Sequence, residues 1–275
     1  MSPTLRRLTW LSAALYAATG VILFVAPGWA AQNFAWSVSP FVAMTIGGWC
    51  LGNAAFAALA ARDGRLSIVL PHLAYLLAFA VGEGLVLVAF RDRFIAAVLA
   101  PLYVATLGLG LVAGAVGVSE AARARIVPEG GRRPGPLTRA GILFFIGFVG
   151  VLAVGGTLAR QGGLSTEGGI FPEALTLFTV RAFAAFYGAL GVGAAALLIG
   201  RGMEPVRAFG RAGLILIVPI VAAALINIGA FDFANRPGGI LYFGAYLVTL
   251  AGTAFVVARG DPVVVTGADP EGASA

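Results

Sequence analysis

The chain has 275 residues, of which 60% are hydrophobic and only 11% are charged, with a formal net charge of +6. Soluble domains carry about 25% charged residues, so a water-soluble globule is excluded and lipid must be the solvent for most of this chain. Every basic residue is an arginine, and the arginines fall between apolar runs, so they read as topology signals rather than as a nucleic-acid surface.

A membrane helix needs about 20 mostly apolar residues. Eight runs qualify, at roughly 8–27, 40–61, 66–90, 94–118, 138–159, 173–200, 207–231 and 237–258. The first, Leu8 to Ala26, is longer than the roughly 7–15 residues of a signal-peptide core, and no small-x-small cleavage site follows it. It is expected to be a retained span, anchored by Arg6 and Arg7. The loop after it, 26–41, is uncharged but holds Trp29, Phe34 and Trp36, the composition of an aromatic belt at the membrane surface. The second span holds Cys50, the only cysteine, which excludes an internal disulfide or a cysteine-based metal site.

The third span, 66–90, contains His72, the only histidine, and Glu83 between two glycines. Pro71, Pro101 and Pro219 fall inside spans, where kinks are expected. A linker, 119–137, separates spans four and five. An outer stretch, 160–171, follows span five and is a candidate lid, and the tail, 260–275, has the composition of a disordered segment. With the N-terminus inside, about thirteen arginines lie on the inner side and about four outside, which places both termini in the cytoplasm of a cell-membrane protein.

The reading is an all-α integral membrane protein of two tandem four-helix repeats in parallel orientation, 1–118 and 138–259. GNAAFAALAAR (52–62) aligns without gaps with GVGAAALLIGR (191–201), and Leu8-Thr9 and Leu137-Thr138 open the two halves. The layout of each half, seen in the first as Pro27 followed by GGWCLGNAAFAALAAR (47–62), resembles the DoxX-like small membrane proteins. The resemblance implies four-helix units and no particular activity. The second half departs from it at 160–171. Small residues one turn apart (Gly48 and Gly52, Ala80 and Gly84, Gly110 and Gly114, Ala189 and Gly193) mark helix seams, within the chain or in a homodimer.

Glu83 and Arg181 lie at matching depths, roughly 12–13 Å in from the outer ends of their spans by helical rise. A lone charge there costs at least about 2.5–3.5 kcal/mol, so the two are expected to form an intramembrane ion pair between the halves. Such a pair is either a structural tie or part of a ligand-binding cavity. His72 and Asn53 share a depth on the inner side and are expected to hydrogen-bond; Asn227 is expected to bond between helices, and Asp232 to pair with Arg236 in a solvated loop.

The sequence shows no phosphate loop, nucleophile motif, paired carboxylates or metal-spaced cluster, and without lysine it offers no Schiff base. No cofactor and no metal are expected, and an enzyme is disfavoured. The favoured function is binding or moving a small lipophilic or amphipathic molecule, of lipid or quinone class, between the halves. The alternative is a non-catalytic subunit with membrane-protein partners.

Overall fold

The computed structural model describes residues 1–258 apart from 164, 165, 167–170 and 172. Its regular structure is helical, and eight helices are long and apolar enough to cross a membrane. They are α1 (Pro3–Val25), α3 (Pro40–Asp63), α4 (Leu66–Ala89), α5 (Ala100–Arg123), α6 (Pro136–Thr157), α7 (Leu177–Ile199), α8 (Met203–Ile226) and α9 (Gly238–Ala258). A short α2 (Pro27–Gln32) lies in the first loop. The expected disordered tail falls outside the described residues, as does much of the candidate lid.

Local chemistry sets the ends. Ser2, Ser39 and Thr176 accept from the backbone N–H three residues on, at 3.2, 3.1 and 3.2 Å, and so cap α1, α3 and α7. Pro3, Pro40 and Pro136 sit in first turns, where no N–H is needed. The helix α3 stops at Gly64, whose φ of 72° suits glycine. Pro71 and Pro219 are inside helices as expected, but Pro101 lies in the first turn of α5. That helix starts later than hydropathy suggests. Residues 94–99 leave the helix because Ile95 N–H donates to the Ala35 carbonyl (2.7 Å) and Leu99 N–H to that of Asn33 (3.0 Å).

In the first half, α1 packs on α3 and α5, and α4 packs on α5 and α3, closing a four-helix ring. The second half is arranged differently. Its α7 lies against α4 and its α8 against α3, so each hairpin, α6–α7 and α8–α9, grips the first bundle separately. The outer helices α6 and α9 make at most marginal contact with each other. Only Ile142 and Val149 of α6, and Gly238, Gly239 and Tyr242 of α9, are buried.

The seams between the halves are close-packed. A Cβ on Gly52 would stand 2.8 Å from the Leu216 Cα, one on Gly48 3.2 Å from the Ile220 backbone nitrogen, and one on Gly193 2.9 Å from the Tyr75 Cβ. These small residues serve contacts within the chain. Gly84 meets nothing within 4 Å; its neighbour Gly82 is the one pressed against Ala185 of α7.

The first loop is not a surface belt throughout. Trp29 is half exposed, but Phe34 and Trp36 are 1% exposed. The Trp36 ring stacks on Phe178 of α7 at 4.5 Å, meets Tyr103 of α5 edge-on at 5.5 Å, and its indole N–H donates to the Thr179 hydroxyl at 3.3 Å. These residues plug one end of the first bundle. At the other end the linker lies across both halves. Glu129 N–H donates to the Ser67 carbonyl (3.1 Å), and Arg201 N–H to that of Pro128 (2.7 Å).

Candidate functional site

The two charges expected to pair do not. Among the described residues the ion pairs are Arg65 with Asp63 (2.9 Å), Arg65 with Glu204 (3.1 Å) and Arg93 with Asp92 (3.3 Å). Arg181 instead donates to the carbonyl oxygens of Gly156 (2.7 Å) and Ala159 (3.0 Å) at the end of α6. They stand at the C-terminal end of α6, where the negative end of the helix dipole favours a cation. Matching depth along two helices therefore misled, because depth says nothing about which way a side chain faces.

Glu83 faces into the first bundle. It is fully buried, and its Oε2 accepts from the Tyr103 hydroxyl at 3.1 Å, while Oε1 has no hydrogen-bond partner. Tyr16 of α1, Cys50 of α3 and Tyr75 of its own helix lie within electrostatic reach of it. Lower in the bundle Asn53 Oδ1 accepts from the Tyr75 hydroxyl at 2.5 Å. The expected His72–Asn53 bond is thus replaced by a tyrosine one turn away on the same helix. His72 is fully buried, edge-on to Phe56 (5.3 Å) and Phe209 (5.8 Å), and lies against the Ala208 backbone of α8. Asn227 Nδ2 donates to its own helix at the Ala223 carbonyl (2.8 Å) and reaches Met44 Sδ on α3 at 3.6 Å, which makes it partly the interhelical contact expected.

Around the loops, Asp232 binds Asn235 rather than pairing directly with Arg236. The Asn235 side chain (2.7 Å) and backbone N–H (3.1 Å) hold its carboxyl below the usual range. Glu173 accepts from the Ser39 hydroxyl, and partial burial raises its carboxyl above the usual range despite that bond and nearby Arg236.

The second feature is a cleft of about 440 Å³ between the hairpins α6–α7 and α8–α9. It lies within the second four-helix set, not between the halves as expected, since the seams between halves are filled. Its walls are Ile142, Phe145 and Leu152 of α6, Leu190 of α7, Val206 and Phe209 of α8 and Gly252 of α9, with Phe56 of α3 at its back. It starts at the linker end and runs from Leu137 to Leu152 on α6 and from Met203 to Ile220 on α8. On α9 it runs from Ala245 to Val256, about 16 Å of helical rise. Tyr187 and Tyr246, hydroxyl to hydroxyl at 3.1 Å, bridge α7 and α9 beside the cleft. Such a space suits an apolar chain with one hydrogen-bonding group. A separate polar cavity of about 480 Å³ at the linker surface is lined by Arg65, Arg133, Arg201, Glu129 and Glu204, charges of both signs.

Among the described residues no three His, Cys, Asp or Glu side chains converge as a metal would require. The tyrosines were the signal that sequence reasoning passed over. All six fall inside apolar helices, three in each half. Comparison with protein families, with curated proteins and with solved structures finds no match for this chain.

Proposed function

We propose that the protein binds or moves a small lipophilic or amphipathic molecule, of lipid or quinone class, in the α6–α9 cleft. The observation that carries this reading is the cleft itself. A space of about 440 Å³ walled almost wholly by apolar side chains lies between two helices that scarcely touch, so it is reached sideways from the bilayer. An acyl or isoprenoid chain there exchanges lipid for protein contact at little desolvation cost, and the Tyr187–Tyr246 hydroxyls offer its polar group a partner.

The proposal includes the arrangement of the chain: two parallel four-helix repeats of DoxX-like layout, in the cell membrane, with both termini cytoplasmic. The reciprocal packing, α3 on α8 and α7 on α4, is what a two-fold relation between repeats would produce, because the two contacts exchange under it.

A second reading is a non-catalytic subunit of a membrane complex or homodimer, favoured by the largely unburied faces of α6 and α9. Native mass spectrometry of the full chain extracted from its own membrane separates the two. Gly252 lines the cleft, and a Cβ there meets nothing within 4 Å, so Gly252→Phe fills the space without disturbing a packed seam. A small molecule retained by the wild type and lost from Gly252→Phe supports binding in the cleft. Stoichiometric protein partners with no bound small molecule refute it in favour of the second reading.

A further inference from the structure

The polar cavity at the linker adjoins the linker end of the apolar cleft. On α8 the two meet at neighbouring residues: Met203 lines the cleft and Glu204 the cavity. On the linker, Arg133 lines the cavity four residues before Leu137 lines the cleft. The backbone between them is fixed. Met203 N–H donates to the Arg132 carbonyl (2.8 Å) and Glu204 N–H to that of Gly130 (3.1 Å). Gly202 lies so close to Gly130 that a Cβ on it would strike the Gly130 backbone.

The charges around the cavity are of two kinds. Arg65 and Glu204 are already engaged, bonded to each other at 3.1 Å, with Arg65 also on Asp63 at 2.9 Å. Arg133, Arg201 and Glu129 are exposed, and among the described residues their side chains have no ion-pair or hydrogen-bond partner. Two uncommitted guanidiniums and one uncommitted carboxylate therefore line one space of about 480 Å³. A guanidinium fork matches phosphate oxygens through paired hydrogen bonds, and a carboxylate matches an ammonium. A second negative group on the ligand would meet Glu129 and Glu204, so the lining favours a phosphate that carries its own cation over a purely anionic headgroup.

We propose that the cavity and the cleft form one site for a phospholipid with a zwitterionic headgroup. Its phosphate lies on Arg133 and Arg201, its ammonium on Glu129, and one acyl chain in the cleft. This rests on the reading that the cleft holds an apolar chain, and adds the headgroup. On α8 the cleft runs from Met203 to Ile220, about 25 Å of helical rise. One leaflet of a bilayer core is about 15 Å deep, so a lipid tail fits without folding back. The other chain of a two-chain lipid stays in the bilayer, because the cleft opens sideways between α6 and α9. Tyr187 and Tyr246 stand at the end of the cleft away from the linker on α7 and α9, where they meet the tail and leave the headgroup to the charges.

The test is native mass spectrometry of the full chain in detergent micelles. The probes, at equal concentration, are lysophosphatidylethanolamine, lysophosphatidylglycerol, chain-free glycerophosphoethanolamine and a long-chain alcohol. The expected result is retention of the ethanolamine lysolipid at least several-fold above the other phosphates. The double variant Arg133→Gln/Arg201→Gln should lower that retention several-fold, Glu129→Gln should erase the preference over the glycerol lysolipid, and Gly252→Phe should abolish retention. The three charged side chains are exposed and unpartnered, so removing them leaves the fold intact. The proposal is overturned if the wild type holds the two lysolipids equally, if the chain-free headgroup binds as well as the lysolipid, or if retention ignores the arginine changes. Should the alcohol still bind the wild type and not Gly252→Phe, the cleft reading survives without its headgroup site; if nothing binds, both fall.

Discussion

Arg181 on α7 donates to the Gly156 carbonyl on α6 at 2.7 Å, so its charge closes a helix end within the second half instead of meeting Glu83 of the first. Sites without a shared partner have additive effects, within about 0.3–0.5 kcal/mol. The stability losses of Glu83→Gln and Arg181→Gln should therefore sum in the double variant, measured by unfolding in mixed micelles. A coupling above about 1 kcal/mol would restore the ion pair.

Among the described residues Tyr103 is the one direct donor to Glu83. Tyr103→Phe keeps the ring against Phe34 and Trp36 but leaves the carboxyl with no hydrogen bond. The expected loss is about 1–3 kcal/mol, the cost of an unsatisfied buried group, read as a lower melting temperature in detergent. An unchanged melting temperature would show that Glu83 does not depend on this hydroxyl.

Gly52 and Gly84 contrast two uses of glycine. A Cβ at Gly52 would meet the backbone and side chain of Leu216, whereas one at Gly84 meets nothing within 4 Å. Gly52→Ala should prise α3 from α8 and cost about 1–3 kcal/mol, as overpacking does. Gly84→Ala should be neutral or slightly stabilising, since alanine is the better helix former. Equal effects in a thermal-shift assay would contradict the seam.

The plug at 33–39 carries a pH dependence through Glu173. Burial raises its carboxyl above the ordinary 4.5, and the bond from Ser39 only partly offsets this. A carboxyl held more protonated in the folded chain than in the unfolded one stabilises the fold below its unfolded value. That contribution is lost as pH rises through the folded value. Glu173→Gln should thus be more stable than wild type at neutral pH, with the advantage shrinking on acidification. A difference constant across the acidic range would show that Glu173 does not titrate with folding.

Hydropathy located all eight spans, and small residues marked the seams at Gly48, Gly52 and Gly193. Both signals are local. Lipid offers no partner to free N–H and C=O groups, so an apolar run of sufficient length must be a helix whatever its neighbours do. Close approach of two helices similarly demands small side chains in the sequence itself. What was not local was not legible. Trp36 and Phe34 have the composition of a surface belt, yet the backbone pairing of residues 33 and 35 with 99 and 95 draws them inward. Depth placed Glu83 beside Arg181, but the rotation of α4 turns Glu83 toward Tyr103 and leaves Arg181 to α6.

The sequence by itself determined the solvent, the number of crossings and the inventory of polar groups, because each follows from transfer free energies residue by residue. Only the tertiary structure decided the partners. The first four helices close around Glu83, while the second four splay into a cleft. The two halves differ because α7 packs on α4 and α8 on α3 rather than on each other. That choice depends on the azimuth and shape of whole helices, which no single stretch of sequence contains.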